Sequence, residues 1–385
     1  MENRDVKISD YPYELVTPTG EVIGYSKIDG KAGEMILAEN CLKLDFTIPK
    51  AGEPIGATGL TTRKRKIKVF GLPWHLGHQY DLLKATDSFA EWTWLKNYRR
   101  PYSTMPRGDF MKNWVDHYEA GKYDLAVLHI DNQCVEEGIW ERGKGAVYRQ
   151  LNEVIQDIPK IVINHGTNFY PEKFTCEELN QKIKEVIGDN TMVVNSHTAA
   201  EQFGFGTPII HGMGEDEWFD LPKEPRVITV LSPAGLDMYY DRSFLDTVKE
   251  KLAELGIKHC QVTVDWLAKD WDDYRNFIGR SLVYFNPTKE SPMPRSRTEA
   301  MFSGCCVITT PHQDADRFIV DGENGFLCKR DPDYVVERIL WCFENYKEAV
   351  RIGQEGKKTA HQVFSRERYG NDWRALMSKV LNREI

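Results

Sequence analysis

Four polar or charged residues that could bind a ligand are concentrated in one short segment. They are Ser291, Arg295, Arg297 and Glu299, and they follow the apolar run Leu282–Phe285. In a parallel sheet, ligands bind beyond the carboxyl ends of strands, and anions bind at the N-termini of the helices that follow. The segment therefore predicts an anion-binding site.

The elements around this segment follow from the local sequence. The run 282–285 is typical of a buried strand, and the prolines between Ser291 and Pro294 predict a loop. Ser296-x-x-Glu299 matches a capping box and predicts that a helix starts there and ends at Gly304. The apolar residues 305–310 predict a second strand. The unit is strand, loop, helix, strand.

The same segment resembles a known family. Glu299-Ala300-Met301, Gly304, the apolar strand and Asp321-Gly322-x-Asn324-Gly325-Phe326-Leu327 are similar to the donor-binding signature of GT-B glycosyltransferases, specifically the retaining family 4 enzymes. The resemblance implies an α/β fold of two Rossmann-like domains facing a cleft. It also implies transfer of a hexose or pentose from a nucleotide-sugar, most often a UDP- or GDP-sugar, to a hydroxyl. Glu299 would bind the donor ribose, and its alternative role is that of a helix cap.

The chain departs from the family pattern at one place. Family members usually carry a second Glu eight residues upstream of the first, followed by Phe-Gly. Here Ser291 stands at that position, Glu290 lies one residue further out, and residues 292–294 are Pro-Met-Pro. The resemblance therefore places Ser291, Met293 and Pro294 beside the donor sugar and leaves the identity of that sugar open.

The resemblance extends to residues outside this segment. Arg242 stands where the family has a lysine that pairs with the donor diphosphate, and Gly235 precedes it in the loop. On the acceptor or sugar side we expect His75, Gly77, His78, Asp131 and His165. His165 follows a predicted strand, 160–164, and is the expected catalytic group together with Arg242 and Glu299. The alternatives are a histidine bonded within a turn and an exposed arginine at a helix end.

We expect no metal and no cofactor. His75 and His78 have no neighbouring Cys or carboxylate in sequence, and no Asp-x-Asp motif stands at a predicted strand end. Arginines 242, 295 and 297 and helix dipoles would stabilise the leaving diphosphate. In the family, the leaving phosphate is usually held to take the acceptor proton on the same face, with no covalent enzyme intermediate.

Length and composition set the domain organisation. The chain has 385 residues, 41% hydrophobic residues and a net charge of −8. We predict a β-rich extension over 1–60, an N-terminal Rossmann-like domain over 61–215 and a C-terminal one over 216–362. A final helix over 363–385 would cross back. Eight scattered cysteines, no apolar leader and no long apolar run favour a cytoplasmic protein with no transmembrane segment.

Two other functions stay open from the sequence. The chain could be a nucleotide-sugar or glycan-binding protein with impaired catalysis, because Ser291 replaces a family Glu. It could also act on a nucleic-acid base, with the basic segment 61–68 as a contact, although the acidic net charge argues against this. The sequence does not give the acceptor or the oligomeric state.

Overall fold

The structure is a computed structural model. It describes residues 10–31, 35–37, 50, 53–55, 59–96, 110–136, 144–231, 240–262, 270–291 and 293–385. Gly235 lies outside these residues. No described helix combines the length and the apolar character that crossing a bilayer requires.

The N-terminal extension is a small antiparallel sheet. Its strands are β1 (Tyr13–Val16), β2 (Val22–Ser26), β3 (Met35–Leu37) and β4 (Thr61–Lys64), in the order β3-β2-β1-β4. A small core of Leu15, Ile23, Ile55 and Leu60 lies against it. The first half of the basic segment 61–68 is therefore an edge strand.

The N-terminal Rossmann-like domain is built on seven parallel strands in the order β11-β10-β9-β8-β5-β6-β7. The strands are β5 (Ile67–Gly71), β6 (Ala90–Leu95), β7 (Trp114–Val115), β8 (Leu125–Ile130), β9 (Lys160–Asn164), β10 (Thr191–Val194) and β11 (Thr207–Pro208). Its helices are α1 (Leu76–Thr86), α2 (Lys144–Val154), α3 (Cys176–Ile187) and α4 (His197–Phe203).

The C-terminal domain carries five parallel strands in the order β13-β12-β14-β15-β16. The strands are β12 (Glu224–Val230), β13 (His259–Val262), β14 (Ser281–Asn286), β15 (Cys306–Thr309) and β16 (Phe326–Leu327). The helices are α5 (Arg242–Glu254), α6 (Trp271–Arg280), α7 (Arg295–Phe302), α8 (Ala315–Phe318), α9 (Pro332–Glu344), α10 (Tyr346–Val363) and α11 (Arg366–Leu381).

The last helix, α11, packs on the N-terminal domain. Tyr369 and Trp373 are buried in one hydrophobic cluster with Leu82 and Trp92. Gly370 allows close contact, because a Cβ there would lie 2.5 Å from the backbone oxygen of Ala85 in α1. The expected α/β fold with two parallel sheets and an N-terminal antiparallel extension is confirmed.

Candidate active site

The start of α7 differs from the sequence expectation. The helix begins at Arg295 with Pro294 as its N-cap, and no side chain caps it. Ser296 lies in the first turn, and its hydroxyl is 2.6 Å from the Tyr284 hydroxyl. The predicted capping box between Ser296 and Glu299 is therefore wrong. The fixed φ of Pro294 suits the residue that enters a helix, so the helix starts before Ser296.

Glu299 has side-chain partners instead of a capping role. It is 5% exposed. The Tyr274 hydroxyl donates to its Oε2 at 2.6 Å, and Arg295 Nη2 lies 3.6 Å from its Oε1. The carboxylate is thus held near the start of α7, beyond the carboxyl end of β14.

Arg295 reaches across the cleft to the N-terminal domain. Its guanidinium pairs with Asp81 of α1, whose side chain is 1% exposed. Gly77 permits this approach, because a Cβ there would lie 2.9 Å from Arg295 Nε. Burial lowers the pKa of Arg295, while the Glu299 charge acts in the opposite direction. The site therefore brings together α1 and α7, which are more than two hundred residues apart in sequence.

Arg297 lies beneath the loop that precedes α7. It is fully buried. Its Nη2 donates to Met293 Sδ at 3.2 Å, its Nη1 is 3.4 Å from His312 Nε2, and its guanidinium lies 4.8 Å from the Phe318 ring centre. Burial lowers the pKa of Arg297 to about 10. In this conformation Arg297 supports Met293 and does not face the cleft.

Two of the predicted donor-side residues are more open. Arg242 is the first residue of α5 and is exposed, and Ser291 is half-buried. The Asp241 carboxylate caps α5 through the Phe244 N–H at 3.0 Å and accepts a hydrogen bond from Arg330 at 2.7 Å. Arg330 was not found by sequence reasoning, because it lies far downstream in the chain.

Glu290 occupies the place next to the expected glutamate. Its Oε2 lies 3.5 Å from the Thr167 hydroxyl in the N-terminal domain. Burial raises the pKa of the Glu290 carboxyl, and hydrogen bonds from Gln313 and Thr167 act against this. Thr167 is two residues after His165. Glu290 therefore lies across the cleft from the strand end that carries His165.

Three histidines form a cluster on the N-terminal side. His129 Nδ1 and His165 Nε2 are 2.9 Å apart. Trp74 stacks on both rings with centre distances of 6.0 and 5.8 Å. The His78 ring meets both edge-on, and His78 Nε2 has no hydrogen-bond partner among the described residues.

The two buried histidines of this cluster are neutral at pH 7. Burial lowers the pKa of His129 to about 3, and the neighbouring His75 adds to the shift. Burial also lowers the pKa of His78 well below its usual value, with further contributions from His129 and Arg295. Arg295 is therefore close enough to His78 for its positive charge to lower the pKa of that ring.

Two predicted acceptor-side residues have local roles. The His75 N–H donates to Gln79 Oε1 at 2.6 Å, just before α1 begins. Asp131 accepts the Gln133 N–H at 3.0 Å and caps a short turn after β8. The structure thus places His75, Gly77, His78 and His165 together, and Asp131 at the end of the central strand.

The histidine cluster also has to be tested as a metal site. One ring nitrogen from each of His78, His129 and His165 lies within 4.8 Å of the others. For His129 to bind a metal through Nδ1, its Nε2 must carry the proton. That nitrogen faces the Gln79 amide nitrogen at 3.2 Å, which is itself a donor because Gln79 Oε1 accepts two backbone N–H groups. In this arrangement His129 Nδ1 carries the ring proton and cannot be a metal ligand.

A second contact region joins the two domains. The buried Asp314 carboxylate accepts the backbone N–H groups of His197 and Thr198 at 2.7 and 2.8 Å. Ser196 donates to Gln313 Oε1 at 2.9 Å. The loop before α8 therefore caps α4 of the other domain and joins the two domains at this end of the cleft.

Comparisons with known proteins show similarity to glycosyl transferases over part of the chain. Residues 234–359 match the family model described as Glycosyl transferases group 1. An uncharacterized glycosyltransferase of Methanocaldococcus jannaschii is 21% identical over 170 residues, a match that covers 43% of this chain and 41% of that protein.

Two solved structures show the same fold. Anabaena HepE in complex with UDP-glucose has a TM-score of 0.58 at 13% identity, covering 81% of this chain and all of that one. Sucrose-phosphate synthase from Thermosynechococcus elongatus has a TM-score of 0.58 at 11% identity, covering 82% of this chain and all of that one. The GT-B fold expected from the sequence is thus confirmed, and so is the resemblance to group 1 glycosyltransferases over residues 234–359.

Proposed function

We propose that this protein is a retaining, metal-independent glycosyltransferase. It moves a hexose or pentose from a UDP- or GDP-sugar to a hydroxyl acceptor. The observation that carries the proposal is the pairing of Glu299 and Arg295 at the start of α7, within a segment that matches glycosyl transferases group 1. This pair faces α1 and its histidine His78 across the cleft.

The donor is bound mainly by the C-terminal domain. The Glu299 carboxylate accepts hydrogen bonds from the ribose hydroxyls, in place of or beside the Tyr274 hydroxyl that it accepts here. Arg295 and the exposed Arg242 bind diphosphate oxygens, to which a planar guanidinium is well matched. UDP is the first candidate, because the solved HepE complex holds UDP-glucose.

The proposed transfer step requires no metal ion. The bond between the sugar anomeric carbon and the leaving phosphate oxygen breaks, and a bond to the acceptor oxygen forms on the same face. The acceptor proton passes to the leaving phosphate oxygen. Arg295 stabilises the charge that develops on the diphosphate, and His165 orients a hydroxyl near the reacting carbon.

A thermal-shift panel tests donor binding. UDP-, GDP-, ADP- and TDP-sugars are added separately, and the unfolding midpoint is measured. A ligand that binds only the folded state raises this midpoint, and a ligand at about a hundred times its Kd adds about 2.7 kcal/mol of stability. We expect one nucleotide class to raise the midpoint. If no member does so, the chain is not a nucleotide-sugar enzyme.

A second candidate function is nucleotide-sugar or glycan binding without transfer. It is favoured by Ser291 at the place of a family glutamate, and by a neighbouring Glu290 whose pKa burial raises. A donor-hydrolysis assay separates the two functions. A transferase releases some nucleoside diphosphate without an acceptor, whereas a binding protein raises its unfolding midpoint and releases none.

A further inference from the structure

A chain of hydrogen bonds runs from the backbone before α1 to His165. Gln79 Oε1 accepts the N–H groups of Trp74 at 3.3 Å and His75 at 2.6 Å. A backbone N–H only donates, so this oxygen assignment is fixed. The Gln79 amide nitrogen must then face His129 Nε2, which it does at 3.2 Å.

The orientation of Gln79 sets the tautomer of His129. Because the amide N–H donates, His129 Nε2 must be the acceptor. Burial lowers the pKa of His129 to about 3, so the ring is neutral at pH 7 and carries its single proton on Nδ1. That N–H donates to His165 Nε2 at 2.9 Å.

The tautomer of His129 in turn sets that of His165. With Nε2 accepting, a neutral His165 carries its proton on Nδ1. The Asn195 amide nitrogen lies 3.5 Å from this Nδ1, and because both groups would donate, the amide must turn its oxygen toward the ring. The 19° angle between the two imidazole planes and the 5.2 Å separation of their centres agree with a nearly in-plane hydrogen bond. The Trp74 backbone N–H is part of this hydrogen-bond chain. The Trp74 ring stacks on both imidazoles, at interplanar angles of 17° and 9°, and helps to keep the two imidazoles in one plane.

We propose that Gln79 and His129 are positioning residues that hold His165 in its Nδ1–H form. His165 then donates a hydrogen bond to a substrate hydroxyl oxygen, which replaces the Asn195 amide as its partner, and does not accept the hydroxyl proton. This inference rests on the proposed function of His165 in glycosyl transfer. It assigns the acceptor proton to the leaving phosphate oxygen, because the imidazole has no lone pair at Nδ1 to receive it.

The tautomers can be measured without any turnover. In protein labelled with ¹⁵N-histidine, protonated and unprotonated ring nitrogens have well-separated chemical shifts. The ring signals are assigned by their loss in His165→Asn and His129→Asn. The proposal predicts proton-bearing Nδ1 and bare Nε2 in both rings of the wild type. A His165 ring protonated on Nε2 would overturn it.

A matched pair of substitutions at one buried position tests the positioning role. In His129→Asn, the side-chain amide replaces the Nδ1–H donor toward His165, whereas His129→Leu removes it. We expect the turnover number of His129→Leu to fall by about ten- to a hundredfold with donor KM nearly unchanged, and His129→Asn to recover most of that loss. A purely structural role would lower the stability of both variants and leave the His165 tautomer the same in both.

Two further outcomes remain distinguishable. If no donor supports turnover, the proposed function fails, while the ring signals still decide the tautomers. If added Zn²⁺ shifts the ring signals of His78, His129 and His165 together, the cluster is a metal site and the hydrogen-bond chain is not its functional state.

Discussion

The Glu299 carboxylate accepts a hydrogen bond from Tyr274 and faces Arg295. We expect Glu299→Gln to weaken UDP or GDP binding by about ten- to a hundredfold, because a hydrogen bond to a charged group contributes about 1.5–3 kcal/mol. Isothermal titration calorimetry measures this. Tyr274→Phe is the control, since it keeps the charged acceptor and should change affinity only a few-fold. Unchanged affinity of Glu299→Gln with reduced stability would show that the carboxylate is structural.

Buried neutral histidines predict how stability depends on pH. Burial lowers the pKa of His129, His211 and His312 to about 3 from 6.5. Between these values the unfolded chain binds more protons than the folded one, so stability is full above pH 6.5 and falls as the pH drops toward 3. The slope is at most about 1.4 kcal/mol per pH unit for each histidine.

Urea unfolding at about pH 7.5 and about pH 5.5 checks this expectation, as pH-linked stability requires. The unfolding free energy should be lower at the acidic pH, and the difference should shrink in His129→Asn. Equal or greater stability at the acidic pH would show that these imidazoles are protonated in the folded chain.

The sequence could predict single residues but not their partners. A motif singles out Glu299 in the sequence, and a strand-end position singles out His165. Asp81, Tyr274 and Gln79 were missed, because their roles depend on contacts with residues that the fold brings close. His129 had a visible signal as the only polar side chain in the buried strand β8, yet an isolated histidine does not reveal a hydrogen-bond chain.

At the scale of elements, the contact between α1 and α7 depends on Arg295 and Asp81. We expect Arg295→Ala to lower turnover more than donor affinity, because its charge meets the diphosphate chiefly in the transition state. The variant should also lose stability, since the buried Asp81 loses its cation. Arg242→Ala, at an exposed position, should lower turnover without this loss.

A double variant separates the two effects of Arg295. Arg295→Ala/Asp81→Asn removes the buried carboxylate and should recover stability, while turnover stays low. Circular dichroism melting and steady-state kinetics on the same preparations make the comparison. Recovery of turnover together with stability would assign Arg295 a structural role only.

Most helices and strands could be predicted from the sequence, but the residues at which they begin and end were harder to predict. The alternation of apolar strands and helices predicted the main strands of both parallel sheets along the chain, but not their order within each sheet. The start of α7 was misplaced, because a capping-box pattern was chosen over the adjacent proline. The basic segment 61–68 was considered as a contact for a nucleic-acid base, yet its first part pairs with β1, and such pairing depends on a partner strand far away in sequence.

At the scale of the molecule, Asp314 joins the two domains by capping α4. We expect Asp314→Ala to favour an open cleft, raising the radius of gyration in small-angle X-ray scattering and raising donor KM. Arg351→Ala is the control, because its pair with Glu348 is exposed and lies within α10, and such ion pairs contribute only about 0–1 kcal/mol. If Asp314→Ala leaves both the scattering curve and the donor KM unchanged, the Asp314 contact has no role in closing the cleft.

The two-domain organisation was predictable from length, strand-helix alternation and the motif over 282–327. The closed cleft was not, because it depends on pairs such as Arg295–Asp81 and Asp314–Thr198, which join residues more than a hundred positions apart. No local pattern encodes these pairs.

The most direct test of the account is release of nucleoside diphosphate from the donor that raises the unfolding midpoint, measured with acceptor hydroxyl compounds and EDTA present. The account predicts release that is insensitive to EDTA and about ten- to a thousandfold slower in His165→Ala, with nucleotide affinity near that of the wild type. Release that is lost with EDTA and restored by manganese, or that is unaffected in His165→Ala, would contradict it.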